Sequence, residues 1–110
     1  MGANRIRTHD LKTWHAPFAS LWSGAKKHEV RRNDRGYMAG DVLYLREYDP
    51  GNGVHIHHTG RAVCALVTYV SEGGTWGLPA DLCVMSIEQV DTTVHYTIGC
   101  FDVAASKATQ

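Results

Sequence analysis

Residues 61–70, RAVCALVTYV, decide the fold that this chain can adopt. Successive residues of a β-strand point to opposite faces of a sheet, and this segment is apolar on both faces. A strand of that kind has to be covered on both sides, as in a small β-barrel with a helix packed against it. A chain of 110 residues buries one core. We therefore predict one mostly β domain with a short helix.

The helical signal lies before residue 25. Phe18, Leu21 and Trp22 stand at the spacing of one helix face, so they form an apolar stripe that we place in the core. Thr13 is a residue type that caps helix N-termini. The pattern predicts a helix near residues 15–23 with Thr13 as its N-cap.

The rest of the chain alternates between strand patterns and turn-rich loops. We place the domain at residues 9–101, after a loose leader or the start of a first strand at residues 1–9, and we expect a frayed tail at residues 102–110. The predicted strands are residues 27–32, 42–47, 61–70, 82–90 and 93–101, and the predicted loops are residues 33–40, 48–60 and 71–81.

The formal net charge of zero hides an asymmetry along the chain. Residues 1–35 hold eight basic and three acidic side chains, so the remainder is acidic. A neutral total argues against a non-specific coat on nucleic acid, whereas a local basic surface suits one phosphate or a short strand. The alternative is a solvated charged face. The sequence has no apolar run that spans a bilayer and no secretory signal, so we expect a cytoplasmic monomer that binds no membrane.

The cysteines and the histidine-rich loop predict neither disulfides nor metal. The three cysteines lie in separate apolar segments without CxxC spacing, so we expect reduced core thiols. The loop histidines have no Cys, Asp or Glu beside them at zinc-ligand spacing, so we expect no metal site and no cofactor. The cysteines are Cys64, Cys83 and Cys100, and the histidines are His55, His57 and His58.

The stretch from residue 24 to residue 31, GAKKHEVR, is the main candidate for a functional site. In an extended segment Glu29 and Arg31 point the same way, and Lys26 enters from the end of the preceding helix. Two cations and an anion then converge on one surface, which suits a polar, partly anionic ligand. The alternative is an ion pair that joins the helix end to the barrel. We expect the head of Arg31 to face solvent in the free protein.

Further candidates surround this group. Arg35 stands in a turn that precedes a strand, and it is a candidate ligand contact. His9 and Lys12 would reach the cleft rim if the leader folds back. Asp41 is expected to tie down a turn. Trp76, in a glycine-rich loop, could stack on a base or plug the barrel end.

Gly24, Lys26, Glu29 and Arg31 fit the Gly-x-Lys-x-x-Glu-x-Arg signature of ASCH domains, which belong to the PUA-like superfamily. More closely, the chain resembles the DUF3850 family of bacterial and phage proteins over about residues 9–88. The shared segments are HDLK (9–12), FASLWSG (18–24), EVRRNDR (29–35), GDVL (40–43), LREY (45–48), TGR (59–61) and VMSI (84–87).

The resemblance implies a PUA-like barrel with a cleft between the helix and the barrel mouth. Lys26, Glu29 and Arg31 would line that cleft. ASCH domains are similar to RNA-binding modules, so the expected ligand is RNA, a nucleotide or a modified nucleoside. On this basis the main hypothesis is a binding module without catalysis.

The resemblance also implies a second hypothesis. One ASCH branch consists of small amidohydrolases that act on N4-acetylcytidine with a lysine, a threonine nucleophile and a later glutamate. Lys26 matches the lysine, but Glu29 occupies the threonine position, and Glu47 and Glu72 are two possibilities for the third member. A third hypothesis is a phage- or plasmid-encoded module that binds a host protein.

Overall fold

The computed structural model of the protein describes residues 6–49 and 57–90. These residues form mostly strands with one short helix, so the predicted fold class is confirmed. The elements are β1 (Thr8–Trp14), α1 (His15–Trp22), β2 (His28–Arg32), β3 (Val42–Asp49), β4 (His57–Glu72) and β5 (Leu82–Gln89).

The strands form one sheet in the order β1-β3-β4-β5-β2. β1 runs parallel to β3, and the other neighbours are antiparallel. The sheet curls into half a barrel, which agrees with the predicted small β-barrel with a helix against it. Among the described strands, β1 and β2 are the two edges of this sheet. The connection between them holds α1 and the first half of the GAKKHEVR stretch, whose second half lies in β2. The candidate site therefore lies where the described strands do not close the sheet by backbone pairing.

The core lies inside the curl and beneath α1. Phe18 and Leu21 of the helix are buried there, and Trp22 packs against the cluster, as its stripe predicts. Burying one such side chain contributes roughly 1.5–3 kcal/mol relative to exposing it. The sheet residues of this cluster include Leu11, Leu43, Leu45, Val63, Ala65, Val67, Cys83 and Met85.

The segment 61–70 is covered on both faces over residues 62–67, as predicted, whereas Thr68 and Tyr69 are exposed. Val63 and Ala65 belong to the core inside the curl. Cys64, on the other face, is also fully buried and clusters with Val42. Cys64 and Cys83 are both free and buried, and burial raises the pKa of the Cys83 thiol. Cys100 lies outside the described residues.

The prediction that Thr13 caps the helix is wrong. Trp14 occupies the N-cap position, and its side chain makes no cap hydrogen bond. Thr13 is buried inside β1, whose exposure alternates strictly between odd and even positions. That period of two belongs to a strand, so the segment before the helix is a seven-residue strand that begins at Thr8, in agreement with the alternative that a first strand starts within residues 1–9.

The boundaries of two predicted loops are also wrong. β3 runs to Asp49 and β4 begins at His57, so both strands extend into the predicted loop 48–60. β4 also continues to Glu72, because its ladder with β5 passes a register shift between Val67 and Tyr69 and goes on. The predicted strand at 93–101, the tail and His55 lie outside the described residues, as do the side chains of His57 and His58.

The described part of the chain contains no helix that is long and apolar enough to cross a membrane.

Candidate ligand-binding site between the two edge strands

The end of α1 places Lys26 next to β2. Gly24 adopts a left-handed φ of 87°, a backbone conformation that residues with a side chain rarely take. Its amide and that of Lys26 donate to the carbonyls of Leu21 and Ser20, both at 3.0 Å. These bonds satisfy carbonyls at the helix end and direct the chain from the helix into β2.

Lys26, Glu29 and Arg31 converge, as the extended segment after the helix predicts. Lys26 Nζ donates to Glu29 Oε1 at 2.8 Å, and Arg31 Nε donates to Glu29 Oε2 at 3.0 Å. Arg31 Nη2 also donates to Thr13 Oγ1 at 3.1 Å. We refer to Lys26, Glu29 and Arg31 as the signature cluster.

The signature cluster buries its anion and leaves its cations partly in solvent. The Glu29 side chain is 4% exposed, against 21% for Lys26 and 23% for Arg31. A carboxylate that is removed from water requires such partners. The expectation that the Arg31 head faces solvent therefore holds only in part, because Glu29 and Thr13 hold two of its nitrogens. Two cations against one carboxylate leave the surface of the cluster positive.

A cavity of about 240 Å³ opens beside the cluster, between β1 and β2. We call it the edge pocket. Trp14 lines it, is 51% exposed, and packs edge-on against Tyr48 with 5.2 Å between ring centroids. Lys12 stands over the same Tyr48 ring, with Nζ 4.4 Å from its centroid. The lining consists of Lys12, Thr13, Trp14, Pro17, Val30 and the signature cluster.

The other predicted site residues line three different cavities. Lys12 lines it, whereas Arg35 lines a neighbouring cavity that shares Arg31 with it. Trp76 lies on the β4–β5 loop and lines a third cavity with Tyr69. Trp76 is 98% exposed, so the alternative that it plugs the barrel end is wrong.

His9 is not at the rim of the cleft. It is buried, and its Nε2 atom lies 2.9 Å from Asp41 Oδ2. Asp41 also accepts a hydrogen bond of 3.0 Å from the Met38 amide, so it ties down the turn before β3, as expected. His9 fixes β1 to that turn.

Residues 8–87 match the sequence model of a known protein family, which is described as "Domain of unknown function (DUF3850)". The chain belongs to the DUF3850 family. A protein of Escherichia phage P2, described as an uncharacterized 12.9 kDa protein in the GpA 3' region, is 34% identical over 70 residues. The match covers 64% of this chain and 60% of the phage protein, less than two thirds of that relative's length.

A second buried carboxylate of this DUF3850 domain lies in a different cluster. Glu47 accepts hydrogen bonds from Arg61 at 2.9 and 3.0 Å and from Thr59 at 2.6 Å, and His15 Nδ1 lies 2.6 Å away. Burial alone would raise the pKa of Glu47, but the hydrogen bonds from Arg61, Thr59 and His15 outweigh it and lower the pKa from 4.5 to about 2. Arg61 also lies over the Trp22 ring, at 4.9 Å. The Glu47 carboxylate is thus held by hydrogen bonds from the neighbouring strand β4 and from the helix.

Neither candidate for the third member of a hydrolase triad lines the edge pocket. Among the described residues, its lining includes neither Glu47 nor Glu72. Glu72 instead lines the cavity that holds Trp76.

Thr13 and Trp14 line the edge pocket but were not predicted as site residues from the sequence. The signal that could have found them is the alternation of His9, Leu11 and Thr13 with polar neighbours, which marks a strand. The pairing of that strand with β3 is a long-range contact. Because Thr13 lies in this strand and not at a helix cap, Trp14 lies beside it at the same pocket.

Proposed function

We propose that this protein binds a nucleotide or a short stretch of RNA in the edge pocket. One observation carries the proposal: Trp14, an aromatic residue that is half exposed, lines the same cavity as a buried carboxylate held by two cations. A nucleobase presents the complementary chemistry, because it has a flat face and a polar edge.

The face of a base would stack on Trp14. Stacking on an aromatic side chain contributes roughly 1–3 kcal/mol per base and does not depend strongly on which base is bound. Lys12 adds a positive charge to the same rim. The indole is held edge-on by Tyr48, so little conformational freedom is lost on binding.

The edge of a base would meet the signature cluster. Within the described part of the chain, Arg31 Nη1 makes no hydrogen bond, and Lys26 Nζ uses one of its three protons, on Glu29. These donors suit a base carbonyl or a ring nitrogen, and Glu29 could accept from an exocyclic amine. A purely structural ion pair would not require a cavity next to it.

Calorimetry with the four ribonucleotides and a six-nucleotide RNA tests this proposal. Trp14→Ala should weaken binding at least fivefold, because the stacking surface is lost. Trp76→Ala is the matched control, since Trp76 is more exposed and lies outside the edge pocket. Unchanged affinity in Trp14→Ala, or an equal loss in Trp76→Ala, would contradict the proposal. Thermal melts confirm that both variants are folded.

A hydrolase of N4-acylated cytosine nucleosides is the second candidate, and one observation favours it. Thr13 lines the edge pocket together with Lys26. Its hydroxyl could serve as the threonine nucleophile that is replaced by glutamate at position 29. Against it, neither Glu47 nor Glu72, the two candidates for the third member of the triad, is among the described residues that line the edge pocket. The test is release of cytidine from N4-acetylcytidine. If the protein releases it, and both Lys26→Ala and Thr13→Val abolish the release, the function is hydrolysis and not binding alone.

A further inference from the structure

A second cavity of about 170 Å³ lies on the other side of Arg31 in the same gap. Leu11 of β1 lines this cavity and Thr13 lines the edge pocket, so Arg31 is shared by two adjoining spaces. Since a strand rises by roughly 3.3 Å per residue, the two spaces lie about 7 Å apart along β1. We call this second space the Arg35 cavity; its lining is Leu11, Arg31, Arg32, Asp34, Arg35 and Tyr37.

The charge around the Arg35 cavity is positive. Three guanidinium groups face one carboxylate, that of Asp34. The Arg32 guanidinium is 3.9 Å from Asp81, and both side chains are largely in solvent, so this pair neutralises little. Glu29 offsets part of the charge of Arg31.

The backbone carbonyl of Arg35 is hydrogen-bonded, whereas its guanidinium has no partner among the described residues. Its carbonyl accepts a hydrogen bond of 2.8 Å from Arg7 Nη2, and the Tyr37 amide donates to Asn33 Oδ1 across the same turn. No hydrogen bond or ion pair of its guanidinium occurs with residues 6–49 or 57–90. The fold therefore holds this residue in place without using its charge.

Tyr37 lines the Arg35 cavity together with the cationic groups. Its side chain is buried, and burial raises the pKa of its hydroxyl, against the opposing charges of Arg35 and Arg31. Arg31 and Arg35 line the same cavity as this phenol. A protonated phenol and an unpaired guanidinium are both hydrogen-bond donors.

We infer that the Arg35 cavity is a phosphate subsite that extends the edge pocket. A guanidinium fork matches two oxygens of a phosphate, and Leu11 and Tyr37 exclude water beneath it. The inference rests on the proposed function, and it assigns the phosphate of that nucleotide or RNA to the Arg35 cavity. The phosphate belongs either to a mononucleotide or to a single-stranded nucleic acid.

The experiment compares four ribonucleosides, their 5′- and 3′-monophosphates and a six-nucleotide RNA of mixed sequence, each titrated calorimetrically. A phosphate should tighten binding at least tenfold, and Arg35→Ala should remove that gain while it leaves nucleoside affinity unchanged. Lys27→Ala is the charge-matched control, because Lys27 lines neither the edge pocket nor the Arg35 cavity. Raising the salt concentration should reduce the phosphate gain.

The outcomes separate this inference from the proposed function. Equal affinity of wild type for nucleosides and monophosphates, or unchanged phosphate binding in Arg35→Ala, overturns the subsite and leaves the edge pocket standing. Absence of binding to every probe overturns both. A monophosphate that binds as tightly as the RNA identifies a mononucleotide ligand, whereas tighter RNA binding identifies a single strand. Arg35→Gln repeats the test if Arg35→Ala fails to fold.

Discussion

Thr13 on β1 accepts a hydrogen bond of 3.1 Å from the guanidinium of Arg31 on β2, although these strands form opposite edges of the sheet. The bond joins by side chains two strands that share no backbone ladder in the described part of the chain. Arg31 therefore acts in two ways. It compensates the buried charge of Glu29, and it holds the gap that forms the edge pocket.

Replacing Thr13 by valine should destabilise the protein by about 1.5 kcal/mol. Valine keeps the shape of the side chain but removes the hydroxyl that accepts from a charged donor. Urea unfolding measures the change. Thr68→Val is the control, because the Thr68 hydroxyl is exposed and bonds only the Ser86 carbonyl within the described residues. We expect the control to stay within about 0.5 kcal/mol of wild type.

Replacing Arg31 by alanine should lower the free energy of unfolding by about 3 kcal/mol. The change leaves the Glu29 carboxylate buried with Lys26 as its remaining cation, and breaking a buried ion pair carries a cost of this size. Adding Glu29→Gln removes the buried charge that Arg31 no longer compensates. The double variant should then be more stable than the sum of the two single losses implies. Strict additivity in chemical denaturation would show that the two side chains do not interact.

Acid should destabilise the protein through Glu47. Its pKa is about 2 in the folded protein, below the ordinary 4.5. A carboxyl group with a depressed folded pKa stabilises the protein above its unfolded pKa, and this contribution is lost as pH falls. It amounts to about 3 kcal/mol, and it should disappear between pH 4.5 and pH 2.

Glu47→Gln isolates this contribution from that of the other carboxylates. The variant should be less stable than wild type at pH 7, and its stability should depend less on pH below 4.5. Glu88→Gln is the control, since Glu88 is exposed and should leave the acid profile unchanged. Parallel acid profiles of Glu47→Gln and wild type in thermal melts would contradict the assignment.

Replacing Trp76 by glycine should stabilise the protein by roughly 0.5–1 kcal/mol. Trp76 has a φ of 55°, and a left-handed conformation carries a penalty of about 1–2 kcal/mol for a residue with a side chain. The exposed ring loses little packing when it is removed. Part of the gain is offset, because glycine is more flexible in the unfolded chain.

Thr75→Gly tests whether conformation is the cause. Thr75 is the preceding loop residue and does not have a positive φ, so glycine should destabilise the protein there. The two substitutions should shift the melting temperature in opposite directions. A shift in the same direction would show that the backbone conformation of Trp76 is not strained.

Much of the fold could be predicted because the relevant signals are local. Residues 61–70 required a strand covered on both faces, and the stripe of Phe18 and Leu21 predicted the short helix and its buried side. The strand ends were predicted less well. β4 extends beyond its apolar stretch because its backbone hydrogen bonds with β3 and β5 continue past the apolar side chains.

The sequence by itself determined that Lys26, Glu29 and Arg31 meet, since they are close in the chain and a turn followed by an extended strand brings them together. It could not place Thr13 and Trp14 beside them. That contact requires β1 to pair in parallel with β3 and the sheet to curl until its edges approach each other. Strand pairing and curvature depend on contacts between residues distant in sequence, and no local pattern specifies them. Only the tertiary structure therefore decided that the signature cluster faces a pocket.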